Sequence, residues 1–186
     1  MASVAPLIVF DLDGTLADTA GDLVKTLNHI LALEDVPPVS LDEARNWVGA
    51  GARALIERGF SAGGKKLPAG RLDRLFADYL AYYEAHICEE TKLYPGVIAA
   101  LDRCAVAGFV FAVCTNKIER PSRELLEALG IAARFRAICG QDTFQADGKR
   151  VFKPDPRALL FTIAKAGGEA ARSVMVGDSA TDIATA

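Results

Sequence analysis

Apolar residues fall along this chain in two textures. Short unbroken runs at 7–10, 109–114, 137–139 and 173–176 have the length of buried strands. Between the last three runs the apolar positions recur with helical spacing. Pro95-Gly96 opens a stretch that puts Val97, Leu101 and Cys104 on one face. Leu125, Leu126 and Leu129 form the next, closed by Gly130 just past the helix end. Asp155-Pro156 is a cap followed by proline at the first helical position, and Gly167-Gly168 ends that helix. Strand and helix in alternation predict the α/β class, a parallel sheet wrapped by helices in the Rossmann-like manner.

The interval between the first and second strands breaks this rhythm. It contains amphipathic spacing but no clear strand. Leu23, Leu27, Ile30 and Leu31 predict one helix, and Ser40 with Glu43 a capping box for a second. Leu72, Leu75, Phe76, Tyr79, Leu80 and Tyr83 predict a long third helix, whose aromatic stripe reads as core. A plain crossover between parallel strands needs far fewer residues. Residues 17–92 are therefore expected to form an inserted helical domain, with 1–16 and 93–186 making the α/β core. After the last strand only about two helical turns remain, too few to be stable alone. The core is accordingly expected to be truncated at its C-terminus.

Composition narrows the function. The 186 residues are 51% hydrophobic and 24% charged, which fits a globular chain rather than a disordered one. The net charge of -3 carries no basic signature, arguing against nucleic acid as a partner. No apolar run approaches the ~18 residues of a membrane helix. No Lys or Arg precedes the first apolar run, which argues against a signal peptide. Cys88, Cys104, Cys114 and Cys139 form no C-x-x-C pair, and the last two lie inside apolar runs as expected of reduced core residues. A cytoplasmic protein is expected.

The candidate chemistry sits where strands end. In open α/β sheets ligands bind beyond the carboxyl ends of the strands. The first run closes on Asp11-Leu12-Asp13-Gly14-Thr15, with two carboxylates one residue apart. Carboxylates that close repel, so a cation or a shared proton must offset them. Thr115 and Asn116 follow the second run and offer a hydroxyl and an amide to phosphoryl oxygens, or else simply cap a helix. Lys153-Pro154 precedes the helix opened by Asp155, and alone Lys153 would be a surface charge. Asp178 and Asp182 follow the last run, one helical turn apart, and Asp178 could cap the final helix. Separate structural roles do not explain why each of these strands is followed by a polar group.

Taken in order, DLDGT, apolar-Thr, Lys-Pro and GDSxxD resemble the motifs of the haloacid dehalogenase superfamily of phosphohydrolases, across essentially the whole chain. Within it, the helical insertion is similar to a C1-type cap. The stretch WVGAGARALIERG, residues 47–59, resembles the corresponding cap segment of phosphoglycolate phosphatases. The resemblance implies that Asp11 attacks phosphorus and that Asp13 serves as acid, then base. It implies Mg²⁺ bound by Asp11, the Asp13 carbonyl and Asp178. Thr115 and the Asn116 N–H would orient phosphoryl oxygens, and Lys153 would neutralise charge. Asp182 would act from outside, on a metal-bound water or on Lys153. Gly14 would let the backbone approach the phosphate, and Thr15 would steady Asp13. Dehalogenases lack an acid at the place of Asp13, so the resemblance points to phosphate esters.

Gly49, Ala50, Gly51 and Arg53 are the cap residues expected to select substrate. Two readings fit Arg53: a clamp on a small carboxylate, or a solvent-facing arginine beside a helix–helix turn. Lys65, Lys66 and Arg71 read as solvated, and His29 and His86 as structural. The function expected is Mg²⁺-dependent hydrolysis of a small phosphorylated acid, most like 2-phosphoglycolate. A β-phosphoglucomutase-like isomerase, a pyrophosphatase and a poorly active fragment stand as alternatives. Self-association stays open.

Overall fold

The computed structural model describes residues 4–186. In chain order the elements are β1 (Leu7–Phe10), β2 (Ala17–Asp18), α1 (Ala20–Leu33), α2 (Leu41–Arg45), α3 (Ala52–Ala62), α4 (Leu72–Ala85) and β3 (Lys92–Leu93). There follow α5 (Val97–Val106), β4 (Val110–Cys114), α6 (Glu119–Ala128), β5 (Phe135–Cys139), β6 (Gln145–Ala146), β7 (Lys149–Arg150), α7 (Pro156–Lys165), β8 (Ser173–Val176) and α8 (Ala180–Thr185). The chain forms two compact units, one of residues up to Asp18 with Leu93–Ala186, the other Thr19–Lys92.

The first unit is built on a four-stranded sheet of order β5-β4-β1-β8. β1 pairs in parallel with both β4 and β8, with Phe10 level with Val113 on one side and Val176 on the other. The two faces of β1 divide its side chains by the strand period of two. Leu7 and Val9, with no exposed surface, point into a core with Ala112, Cys114, Ala137 and Cys139. Helix α7 covers that face with Ala158, Leu159 and Ile163. On the alternate positions Phe10 meets Phe111 and Phe135 edge-on, at centroid distances of 6.0 and 6.4 Å. Burying side chains such as Leu7 and Val9 stabilises by roughly 1.5–3 kcal/mol each.

The expected caps recur in the fold. Asp155 caps α7 by accepting from the Arg157 N–H, with Pro156 in the first turn. Gly130, at φ +73°, follows the C-cap of α6. Sequence reasoning overlooked the hairpin of β6 and β7. Its two-residue turn, Asp147-Gly148, takes positive φ at both positions (53° and 73°), the geometry a two-residue hairpin favours.

The second unit is helical. Ser40 and Glu43 form the reciprocal capping box of α2. Leu75, Phe76, Tyr79 and Tyr83 are buried on α4, which packs on α1 and α3, and the Tyr79 hydroxyl donates to the Leu23 carbonyl. Helix α3 is an addition to the three expected helices. Its signal was weak because Gly59 interrupts the apolar face of Leu55, Ile56 and Phe60. That glycine is a contact surface, since a Cβ there would lie 3.0 Å from Leu27 Cδ1 and 3.2 Å from Leu31. Asp22, fully buried, accepts from the Glu90 and Thr91 N–H groups and the Thr91 hydroxyl, fixing the start of α1 to the segment after α4. Arg71 is not merely solvated: it pairs with Glu34 through Nε (2.9 Å) and Nη2 (2.6 Å). His29, Tyr82 and His86 stack in a column at 3.9 and 4.0 Å. Among the described residues no helix is long and apolar enough to cross a membrane.

Candidate active site

Parallel register gathers the expected residues of the first unit at one end of the sheet. Because Phe10, Val113 and Val176 are level, the segments after β1, β4 and β8 leave the sheet side by side. The Asp11 N–H still donates to the Val176 carbonyl at 2.8 Å, so Asp11 is the last residue held by the ladder. Beyond it the chain turns sharply, with the Gly14 N–H donating to the Ala17 carbonyl at 2.9 Å.

Asp11 and Lys153 are both almost wholly buried, 2.9 Å apart, and Lys153 Nζ also reaches Asp182 Oδ1 at 2.6 Å. Burying an ammonium among apolar atoms costs several kcal/mol unless charges compensate it. Here two carboxylates do so. Burial works against the charge on Lys153, but Asp11 and Asp182 outweigh it and its pKa is raised. Burial likewise opposes the charge on Asp182, yet Lys153 and Ser179 hold its pKa below the usual range. Asp11 goes the other way. Burial lifts its pKa from 3.8 to about 6, against the pull of Lys153 and with help from Asp182 and Asp13. Both donors to Asp11, the Leu12 N–H (2.7 Å) and Lys153, engage Oδ1. Oδ2 accepts no hydrogen bond among the described residues.

Asp182 has a second task. With Ser179 it forms the capping box of α8, its Oδ2 accepting from the Ser179 N–H and hydroxyl. Ser179, rather than Asp178, is thus the cap of that helix. Asp178 is exposed, and its Oδ1 accepts from the Thr15 hydroxyl at 2.8 Å. The expectation that Thr15 steadies Asp13 is therefore corrected: Thr15 orients Asp178. Gly14 has φ +86°, and a Cβ there would lie 2.5 Å from Asp178 Oδ2. What needs the missing side chain is the Asp178 carboxylate.

Thr115 and Asn116 are buried at the end of β4. The Thr115 hydroxyl accepts from the Lys117 N–H (3.2 Å) and so retains its own proton to donate. Asn116 Nδ2 donates to the Lys153 carbonyl at 3.1 Å, tying the loop after β4 to the one carrying the lysine. Sequence reasoning stopped one residue short here. Lys117 Nζ stands 3.2 Å from Asp13 Oδ1, with side chains only 8% and 6% exposed. The signal that singled out Thr115 and Asn116, polar residues after a central strand, extends to it without change.

Gly49, Gly51 and Arg53 belong to the helical unit. Gly51 is the N-cap position of α3, and both glycines have φ near +90°. Arg53 pairs with Asp73 at 2.7 Å and lies 4.4 Å above the Phe76 ring.

The site suits a hard divalent cation. Asp11, Asp178 and Asp182 each offer a carboxylate oxygen, all within 4.8 Å of one another. Four carboxylates (Asp11, Asp13, Asp178, Asp182) face two ammonium groups (Lys117, Lys153), leaving an excess of two negative charges when all are ionised. An oxygen-only donor set with that charge suits a hard cation such as Mg²⁺ or Ca²⁺.

The chain is similar to several known proteins. A phosphoglycolate phosphatase of Mesorhizobium japonicum is 49% identical over 97% of this chain and 78% of its own length. One from Agrobacterium fabrum is 46% identical over 98% and 76%. Among solved structures, a predicted phosphoglycolate phosphatase from Haemophilus somnus superposes with a TM-score of 0.85, covering 100% of this chain and 82% of that one at 28% identity. The family model for haloacid dehalogenase-like hydrolases matches residues 8–186, and the chain belongs to that family.

Proposed function

We propose that this hydrolase is a Mg²⁺-dependent phosphatase that acts on 2-phosphoglycolate through a phosphorylated Asp11. The observation that carries the reading is a buried carboxylate with one oxygen clear of donors, held against a buried lysine and followed two residues later by a second carboxylate. Relatives 45–49% identical over nearly the whole chain and named phosphoglycolate phosphatase support the substrate.

In this reading Asp11 Oδ2 attacks phosphorus, forming an acyl phosphate as the ester P–O bond breaks. Asp13 gives its proton to the departing glycolate oxygen. It then takes a proton from the water that attacks the acyl phosphate, releasing phosphate and restoring Asp11. Each such transfer is worth roughly 10²–10⁴ in rate. The Thr115 hydroxyl and the Asn116 N–H hold the non-reacting oxygens, and Lys153 offsets charge beside the nucleophile. Asp182 keeps Lys153 in place. Asp11, Asp178 and the Asp13 carbonyl would hold Mg²⁺, which when bound supplies the positive charge that lets a carboxylate approach a phosphate dianion.

In this reading the helical insertion, residues 17–92, is the cap, and Gly49, Gly51 and Arg53 select the substrate. Arg53 can exchange Asp73 for a substrate carboxylate at small cost, because half-exposed ion pairs contribute only about 0–1 kcal/mol. The test is phosphate release from 2-phosphoglycolate with Mg²⁺ or with a chelator, in wild type and Asp11→Asn. Mg²⁺-dependent release, lost in the variant, is expected. Unchanged release by the variant would overturn the mechanism. Inert 2-phosphoglycolate, with pyrophosphate cleaved or a sugar phosphate isomerised instead, would overturn the substrate.

A further inference from the structure

We infer that Lys117 is a positioning residue for Asp13, fixing the acid/base carboxylate against the leaving group. The inference rests on the phosphatase reading above and adds to it a residue the motifs do not include. Three observations carry it. First, Lys117 supplies the sole side-chain hydrogen bond to the Asp13 carboxylate among the described residues, at 3.2 Å and out of solvent. It engages Oδ1 and leaves Oδ2 for proton transfer.

Second, Lys117 is itself held. Its N–H donates to the Thr115 hydroxyl (3.2 Å), and its carbonyl accepts from the Gln141 N–H (2.9 Å). Gly140 makes that clamp close: a Cβ there would run into the Glu119 nitrogen and the Lys117 carbonyl. The Glu119 N–H donates to Asp142 (2.8 Å), and Thr143 Oγ1 donates to Glu119 (2.6 Å), so the loops after β4 and β5 are laced together around Lys117.

Third, the two lysines divide the acids between them. Lys153 serves Asp11 and Asp182, whereas Lys117 serves Asp13. A proton donor must sit within hydrogen-bond reach of the departing oxygen when the bond breaks, and a displacement of about 1 Å can cost ~10²-fold in rate. Without Lys117 the Asp13 side chain would be free to turn away from that position.

Leaving-group dependence tests this, because a misplaced acid matters only where the leaving group needs a proton. Lys117→Met and Lys117→Arg are compared with wild type in first-turnover experiments with Mg²⁺. One substrate is 2-phosphoglycolate, which expels an alkoxide; the other is 4-nitrophenyl phosphate, whose phenolate departs unprotonated. Lys117→Met is expected to slow the first turnover of the alkyl ester by roughly 10–100-fold while changing the nitrophenolate burst less than about threefold. Asp13→Asn should show the same asymmetry, and Lys117→Arg should recover most of the loss. Equal slowing of both bursts, unchanged rates, or an effect confined to KM would overturn the assignment. Should Lys117→Met not fold, Lys117→Gln, with its shorter donor, must show the same asymmetry. Failure of the wild-type protein to hydrolyse either ester would instead refute the phosphatase reading, so the two failures are distinct.

Discussion

Replacing Asp11 by asparagine should stabilise the metal-free protein, and by an amount that grows with pH. Burial raises the Asp11 pKa from 3.8 to about 6 in the folded chain. Between those values the folded state binds more protons than the unfolded one, so wild-type stability falls as pH rises through the window. The contribution is fully present below pH 3.8 and gone above about pH 7. A pKa raised by about two units corresponds to a loss of roughly 3 kcal/mol, of which about 1 kcal/mol falls between pH 5 and pH 8. Asparagine cannot ionise and keeps nearly the same shape. The difference in unfolding free energy, Asp11→Asn minus wild type, should therefore rise by about 1 kcal/mol from pH 5 to pH 8. Asp182 and Glu119 have pKa values lowered by their partners, so their opposite slopes lie mostly below pH 5, outside this window. Urea titrations at half-unit pH steps in the presence of a chelator measure the difference. Parallel curves for the two proteins across that range would refute the claim that burial governs Asp11.

Four further outcomes follow from particular contacts. Mg²⁺ at ten times its dissociation constant should stabilise wild type by about 1.4 kcal/mol, and Asp178→Asn by much less, as read by thermal unfolding. Lys153→Met leaves Asp11 and Asp182 buried without a cation and should cost roughly 3–5 kcal/mol in urea unfolding, with Asp182→Asn recovering part of it. Gly14→Ala places a side chain at φ +86° against Asp178, so a loss of about 1–2 kcal/mol and of most Mg²⁺ affinity is expected from unfolding curves and metal titration. In the helical unit, Asp22→Ala strands three donors of Glu90 and Thr91 and should lower stability by roughly 2–4 kcal/mol by the same unfolding assay.

Local information was enough for much of this molecule. The four strands of the main sheet follow from apolar runs, and the caps at Ser40 and Asp155 from a hydroxyl or carboxylate with its partner at fixed spacing. Asp11 and Asp13 stood out because two carboxylates at a strand end have no structural reason to be there. Helix α3 was hidden because a helix face can be completed by a glycine when a neighbouring helix supplies the bulk, and no pattern in 52–62 reveals Leu27 and Leu31. The partners of the acids were hidden for a related reason. Thr15 lies 163 residues from Asp178, and Lys117 lies 104 residues from Asp13, so only the parallel register of β1, β4 and β8 brings them within reach.

The sequence by itself determined which residues carry charge and where each strand ends, because both are properties of short segments. Which charge meets which was decided by the fold. Nothing in the order of residues says that Lys153 would join Asp11 to Asp182, or that burial would lift Asp11 while Asp182 was held down. Those outcomes depend on distances of about 3 Å and on exclusion of water. Both come into being only when the sheet closes and its helices cover it.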